Sequence, residues 1–384
     1  MMAVSTPCAS EYLGLTEHEL SKAGASATAK EISQQPALWK ELLTEFEQQG
    51  QGMQDWLSVV LQQRHLRIIF TGAGTSAYIG QALAAHIQPR LASGQQALSI
   101  ATTDLVSHPE LYLAGDAPVL LISYARSGNS PESVAAAELV KQLHPNSHHL
   151  VISCNADGQL AHRSQQDPQA KLWLMPAGSN DQSFAMTSSY SCMMLATLLI
   201  FGATSHDVTR MIDQSTVLLQ NKVAVLRQWA QQPCQRMVFL GSGPLQAVAR
   251  ELALKYLELT AGKLTSFYET PLGFRHGPKS LVDAETQIVM LDTQQAYSRR
   301  YDADLYQELC QDQQALSVHL CSELLATEGE LADDVWLSFP YAICGQVLAF
   351  FKAIELGVSP DNPCPSGLVN RVVQGVHIYP LLTK

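Results

Sequence analysis

The stretch RMVFLGSGPLQAVARELALKYLE, residues 236–258, decides the fold class. Residues 236–240 form an apolar run of strand length, Gly241-Ser242-Gly243 make a sharp exit, and Pro244 suits the first turn of a helix, where its missing N–H is not needed. Strand, glycine turn and helix in that order are the unit of a parallel α/β sheet. On the helix, Glu251, Lys255 and Glu258 stand at i, i+4 and i+7 and share one face, while Leu252, Leu254, Leu257 and Leu259 take most of the rest. Charges on an otherwise apolar helix need water or a cleft. Taken alone, the stripe reads as a solvated face with an i, i+4 Glu-Lys pair.

Its surroundings add reasons for a cleft. Residues 265–279 are rich in Gly and Pro and carry His276 between Arg275 and Lys279, a composition that suits a loop. An imidazole titrates near neutral pH, so beside a carboxylate face it is a candidate acid or base. Two anion-binding turns are expected in the first half. Residues 67–70 (RIIF) read as a strand that ends in Thr71-Gly72-Ala73-Gly74-Thr75-Ser76, and residues 118–123 (PVLLIS) lead into Arg126-Ser127-Gly128-Asn129-Ser130 before Pro131 opens a helix. Both are strand-turn-helix junctions where backbone N–H groups and Thr or Ser hydroxyls converge at a helix N-terminus. Arg126 adds a fixed charge with paired donors. Simple helix capping is the alternative use of each Ser-rich turn. Two such turns at successive strand ends fall side by side on the carboxyl edge of the sheet, where α/β folds bind ligands.

Composition narrows the function classes. A chain of 384 residues with 46% hydrophobic content can bury a large core and make two domains. A net charge of -11 with no Lys/Arg run argues against a nucleic-acid surface. The eight cysteines are scattered without a Cys-x-x-Cys pair, and His148-His149 is an isolated pair, so no metal site is expected. The N-terminus lacks a basic-then-apolar signal and the apolar run 193–201 is too short to span a bilayer, so the expectation is a cytoplasmic protein with no membrane partner.

The pattern repeats along the chain. Strands are expected near residues 67–71, 97–101, 118–123, 149–153 and 171–175, and again near 236–240, 265–268, 287–291, 316–320 and 334–339. Helices are expected at 131–143, 183–201, 208–230, 244–261, 301–311 and 344–356. Gly72-Ala73-Gly74 and Gly241-Ser242-Gly243 hold the same place in the two series, 169 residues apart. Residues 1 to about 60 read as helical and polar, with Thr16-Glu17-His18-Glu19 as a capping box. The expected organisation is a helical extension, residues 1–38, followed by two doubly wound, flavodoxin-like parallel-sheet domains, residues 39–206 and 207–384.

With these motifs in order, the chain resembles the sugar isomerase (SIS) domain pair, best known from the isomerase half of glucosamine-6-phosphate synthase. The resemblance covers nearly everything from Trp39 onward. Within that family, residues 71–77, 126–134, 273–283 and 369–376 are similar to the branch described as bacterial galactosamine-6-phosphate deaminase/isomerases, or tagatose-6-phosphate ketose/aldose isomerases. The resemblance implies phosphate-binding hydroxyls at Thr75, Ser76, Ser127 and Ser130. It implies a base at Glu258 that moves a proton between C1 and C2, with Glu251 and Lys255 as its polar neighbours, and a ring-opening role for His276, contributed by a partner subunit of a homodimer or larger oligomer. Gly74, Gly128, Asn129 and Arg371 complete the expected substrate contacts.

Three departures from the synthase pattern stand out. Ala125 replaces a first Ser, Gly273 replaces a Glu three residues before the His, and Arg371 stands near the synthase's lysine. No room for an ammonia-generating glutaminase domain is seen before the first repeat, where the chain begins Met1-Met2-Ala3 and Cys8 lies in a short polar segment, so net catabolism is expected. In that direction Glu258 takes the proton from C2 and returns it to C1, a C=N bond forms at C2 as the C1 carbonyl becomes a hydroxyl, and water releases ammonia and the ketose phosphate. No metal or redox cofactor is required. Three alternatives stay open on these residues: isomerisation without loss of ammonia, a sugar-phosphate-binding regulator, and a dinucleotide enzyme suggested by the near-fit of residues 72–77 to the Gly-x-Gly-x-x-Gly/Ala pattern, with Asp104 following. The second Ser-rich turn and the Glu-Lys-Glu helix have no task in the last.

Overall fold

A computed structural model describes residues 11–325, 333–373 and 375–381; Met1, Met2, Ala3 and Cys8 lie outside them. Strands β1 (Arg67–Thr71), β2 (Gln96–Ser99), β3 (Val119–Ala125), β4 (His148–Ser153) and β5 (Ala170–Leu174) form one parallel sheet in the order β2-β1-β3-β4-β5. Strands β6 (Arg236–Gly241), β7 (Thr265–Glu269), β8 (Thr286–Leu291) and β9 (Ser317–Leu320) form a second, in the order β7-β6-β8-β9. Every residue of β3 and of β8 is buried, as strands covered by helices on both faces require. In the first sheet the strand order reverses between β1 and β3, with Phe70 beside Ile122 and Thr71 beside Ser123. That switch point opens a crevice at the carboxyl ends of the two strands.

The two glycine turns are conformational copies. Gly74 has φ 55°, ψ −128° and Gly243 has φ 55°, ψ −131°, a backbone open in practice only to glycine. Gly72 and Gly241 are needed for space: a Cβ would lie 2.5 Å from Ser76 Cβ at the first and 2.5 Å from the Leu245 carbonyl oxygen at the second. The helices that follow, Thr75–Ile87 and Pro244–Leu259, pack against each other across the two sheets. Arg250 Nη1 donates to Gln81 Oε1 at 3.2 Å, and these residues are themselves 169 positions apart. Equivalent residues of the two repeats therefore touch, the signature of a local two-fold between them.

Residues 334–339 are not the tenth strand expected from sequence. They open the 22-residue helix Asp334–Glu355, which runs through the core with Trp336, Phe339, Tyr341 and Phe350 all at or below 7% exposure. An apolar run ending at Pro340 has no period by which to tell strand from buried helix, and the proline is carried inside the helix. Burial of those aromatic rings, worth roughly 1.5–3 kcal/mol each, offsets the lost hydrogen bond. By length and composition this helix matches a membrane span, but 94% of its apolar window is buried inside the fold. At Gly345 it crosses the Pro244–Leu259 helix closely: a Cβ there would stand 2.3 Å from Leu252 Cδ2. The expected helix 208–230 is broken at Lys222 into Ser205–Asn221 and Val223–Ala230.

The N-terminal region is helical, as expected, and the Thr16–Glu19 capping box forms, with Glu19 N donating to Thr16 Oγ1 at 3.3 Å and Thr16 N to Glu19 Oε2 at 2.8 Å. Two further helices, Ser26–Ser33 and Gln35–Gln49, lie against the core, where Trp39 is fully buried and meets Phe339 edge-on at 5.3 Å.

Candidate active site

A cavity of about 560 Å3 opens between the two sheets, at the crevice beside β1 and β3. Gly74 and Thr75 come from the turn after β1, Arg126 from the end of β3, Lys255 and Glu258 from the Pro244–Leu259 helix, and Arg371 from the C-terminal segment. Six of the residues expected from sequence thus share one wall. The repeat equivalents of Glu251, Lys255 and Glu258 are Ala82, His86 and Pro89. The local symmetry therefore supplies the carboxylate face once, on the second repeat, opposite the glycine turn of the first.

The charged face is largely buried rather than solvated. Glu251 is 0% exposed and Lys255 1%, while the Glu258 side chain keeps 24%. Lys255 Nζ stands 3.5 Å from Glu251 Oε1 and hydrogen-bonds Glu258 Oε2. Burial pushes the Glu251 carboxyl up to about 8, with Lys255 pulling it down and Glu258 adding to the rise. Burial also pulls Lys255 down, but Glu251 and Glu258 outweigh it and hold the ammonium above its ordinary value. Lys255 is thus a fixed cation that orients Glu258 toward the cavity.

Arg126 is 7% exposed, and its guanidinium donates to the Phe184 carbonyl at 3.2 Å and to the Arg371 carbonyl at 2.7 Å. Burial, then the neighbouring Arg371 charge, lowers its pKa. Arg371 in turn donates to the carbonyl oxygen of Asp181. Arg126, Arg371 and Lys255 bring three cations to a cavity whose wall carries one carboxylate, Glu258, so the site favours an anion.

The other sequence candidates lie off the cavity wall. Ser76 is buried beside Met186, its Oγ 3.8 Å from Sδ. The Ser127–Ser130 turn packs on the next loop: Asn155 Nδ2 donates to the Ser127 carbonyl at 2.9 Å, Gln159 N to Asn129 Oδ1 at 3.0 Å and Leu160 N to the Gly128 carbonyl at 3.1 Å. Ser130 does not cap its helix; its hydroxyl donates to Ser133 Oγ at 2.6 Å. His276 is exposed, in a loop pinned from below by Arg275 and Lys279, both paired with Glu308 of the helix Ser298–Asp312. Phe184, Met186, Cys364 and Asn370 line the cavity without having been singled out for it, though Asn370 falls within the quoted 369–376 stretch. Phe184 and Met186 precede the all-buried helix Ser188–Ile200, and only their place before its Ser/Thr-rich start marks them.

Tandem parallel sheets, paired glycine turns and this crevice are the features of one family, and the chain belongs to the SIS domain family, which matches residues 60–203 and 232–354. It is 53% identical over 369 residues to the D-galactosamine-6-phosphate deaminase AgaS of Shewanella sp. (strain ANA-3), covering 96% of this chain and 95% of that one. It is 43% identical over 378 residues to the protein of the same name from Escherichia coli, covering 92% and 95%. The crystal structure of tagatose-6-phosphate ketose/aldose isomerase from Escherichia coli superposes with a TM-score of 0.86 at 39% identity, covering 93% of this chain and 97% of that one.

Proposed function

We propose that this chain is a cytoplasmic amino-sugar phosphate deaminase/isomerase that converts galactosamine 6-phosphate into tagatose 6-phosphate and ammonia. The observation that carries the reading is the Lys255–Glu258 pair on the wall of the cavity that also holds Arg126 and Arg371. A non-reacting phosphate anchors the substrate at the Gly74-Thr75 turn and Arg126, while the Ser127–Ser130 turn, with Gly128 and Asn129, packs on the next loop and supports the end of the strand that carries Arg126. Glu258 takes the proton from C2 of the open chain and returns it to C1. The aldehyde oxygen at C1 gains a proton and becomes a hydroxyl, the amine at C2 loses one and is left as an imine, water adds to that carbon, and ammonia departs to leave the ketose phosphate. Lys255 holds Glu258 in place, and Glu251 stores a proton beside it. His276, exposed and away from the cavity of its own chain, opens the pyranose ring in the site of a partner subunit, so the working unit is at least a dimer.

The names of the relatives at 43–53% identity support the deaminase reading. The name of the solved relative at 39% identity favours a second reading, aldose/ketose isomerisation on the same residues without loss of ammonia. Incubating the purified protein with galactosamine 6-phosphate, glucosamine 6-phosphate and their acetylated forms, while assaying ammonia and ketose phosphate together, separates the two. Equal amounts of both products from the galacto substrate are expected. With galactose 6-phosphate added as a fifth substrate, ketose phosphate formed only from it, without ammonia from any amino sugar, supports the isomerase instead.

A further inference from the structure

The N-terminal helices have no part in the chemistry above, yet they hold two rims of the cavity. The first rim is the loop that carries Phe184 and Met186, and its Phe184 carbonyl is the partner of Arg126. On the helix Ser26–Ser33, Glu31 is 5% exposed and binds the base of this loop. Its Oε1 accepts from Gln182 N at 2.5 Å and from Ser183 N at 3.1 Å, and its Oε2 accepts from Ser183 Oγ. The second rim is the C-terminal segment that carries Arg371. At its start, Asp361 accepts from Thr28 N and Thr28 Oγ1, both at 2.7 Å, and from Ala27 N at 3.1 Å, which caps the same helix from a site 333 residues away. Ser359 Oγ donates to the Gly24 carbonyl at 2.6 Å, and Phe184 N donates to the Asp361 carbonyl at 3.2 Å, so the two rims also meet each other.

We propose that Glu31 is a positioning residue for the substrate cavity, and that the helix Ser26–Ser33 is a clip joining the loop of Phe184 to the segment of Arg371. The inference rests on the cavity being the substrate site. Two arguments set it apart from ordinary packing. First, burial, with Asp181 beside it, raises this carboxyl to about 7, so placing it here costs stability, and what it supplies in return is the acceptor for the backbone N–H groups of Gln182 and Ser183. Secondly, the hydrogen bonds of the carboxylate go to Gln182 and Ser183, adjacent to the residue on the cavity wall, and Asp181 just before them carries the carbonyl that binds Arg371. Loosening this point frees Phe184 and Arg371 together, and with them both anchors of Arg126.

Glu31→Gln tests it, because the amide keeps the shape but its NH2 group faces donors. The expected result is a KM for galactosamine 6-phosphate raised roughly tenfold, the cost of about one good hydrogen bond, with kcat within about twofold. Amide exchange across residues 180–187 and 363–373 is expected to accelerate while exchange in both sheets stays unchanged. Unchanged KM, unchanged exchange at the rims, or exchange raised evenly through both sheets overturns the clip. Should Glu31→Gln fail to fold, Asp361→Asn decides by the same two readouts, with the same outcomes. If the wild type itself does not turn over galactosamine 6-phosphate, the functional reading has failed, and exchange at the two rims with the calorimetric affinity for inorganic phosphate still decides the clip.

Discussion

Lys255→Met removes a cation that is 1% exposed, 3.5 Å from Glu251 and hydrogen-bonded to Glu258. Stranding a buried charge by deleting its partner costs about 3–5 kcal/mol. Here the stranded carboxylate has another option, since burial already raises Glu251 to about 8. Its neutral form stabilises the fold fully below the ordinary carboxylate range, and that contribution is lost as pH rises to about 8 in the wild type. Below pH 8 the folded wild type and variant both keep the proton on Glu251, so the variant loses only packing and the bond to Glu258, about 1–2 kcal/mol. Above pH 8 the wild type has shed its proton and levels off, whereas the variant, lacking the cation, still holds it and continues to lose stability. The difference between them should then grow by about 1.4 kcal/mol per pH unit. Lys255 itself titrates above its ordinary value, so its own charge is constant across the window. Urea melts of both proteins at pH 6, 7, 8 and 9 measure this directly. A difference that is flat across pH 6–9, or that shrinks above pH 8, refutes the coupling of Glu251 to Lys255.

Arg126→Ala should weaken binding of phosphorylated sugars by about 1.5–3 kcal/mol, read as the inhibition constant of inorganic phosphate; equal competition against wild type and variant places the anion elsewhere. Gly74→Ala meets no atom within 4 Å but forces a side chain onto φ 55°, so it should cost about 1–2 kcal/mol in a thermal melt from backbone strain alone, and a loss below a few tenths contradicts the turn geometry. Mixing inactive Glu258→Gln subunits with inactive His276→Ala subunits, under conditions that exchange chains, should recover roughly a quarter of wild-type activity if each site is shared. No recovery, with exchange proved by mass spectrometry, means that His276 acts within its own chain or not at all.

Features that depend on local rules were legible in the residues. The paired Gly-x-Gly turns demand a backbone that only glycine adopts and a space that only glycine leaves, so their spacing alone marked two repeats. The i, i+4, i+7 spacing placed Glu251, Lys255 and Glu258 on one face, but whether that face met water or protein was set by the first repeat's helix lying across it. Residues 334–339 misled because a helix buried on every side has lost the 3.6-residue alternation of polar and apolar positions. Arg371 was noticed for its motif, but its contact with Asp181 joins residues 190 positions apart. Glu31 reads in sequence as one more polar residue on a surface helix, and its partners at Gln182 and Ser183 are about 150 residues away. Such contacts follow from the assembled fold and leave no period in the chain.

The central claim is that Glu258 carries the proton between C2 and C1 of a phosphosugar already held by its phosphate. Turnover of galactosamine 6-phosphate by Glu258→Gln, measured together with the affinity of the same variant for that substrate, tests it most directly. The amide keeps the shape and loses the base, so ammonia release should fall by about 10³-fold or more while the dissociation constant stays within a few-fold of wild type. Near-normal ammonia release by the variant would contradict the assignment.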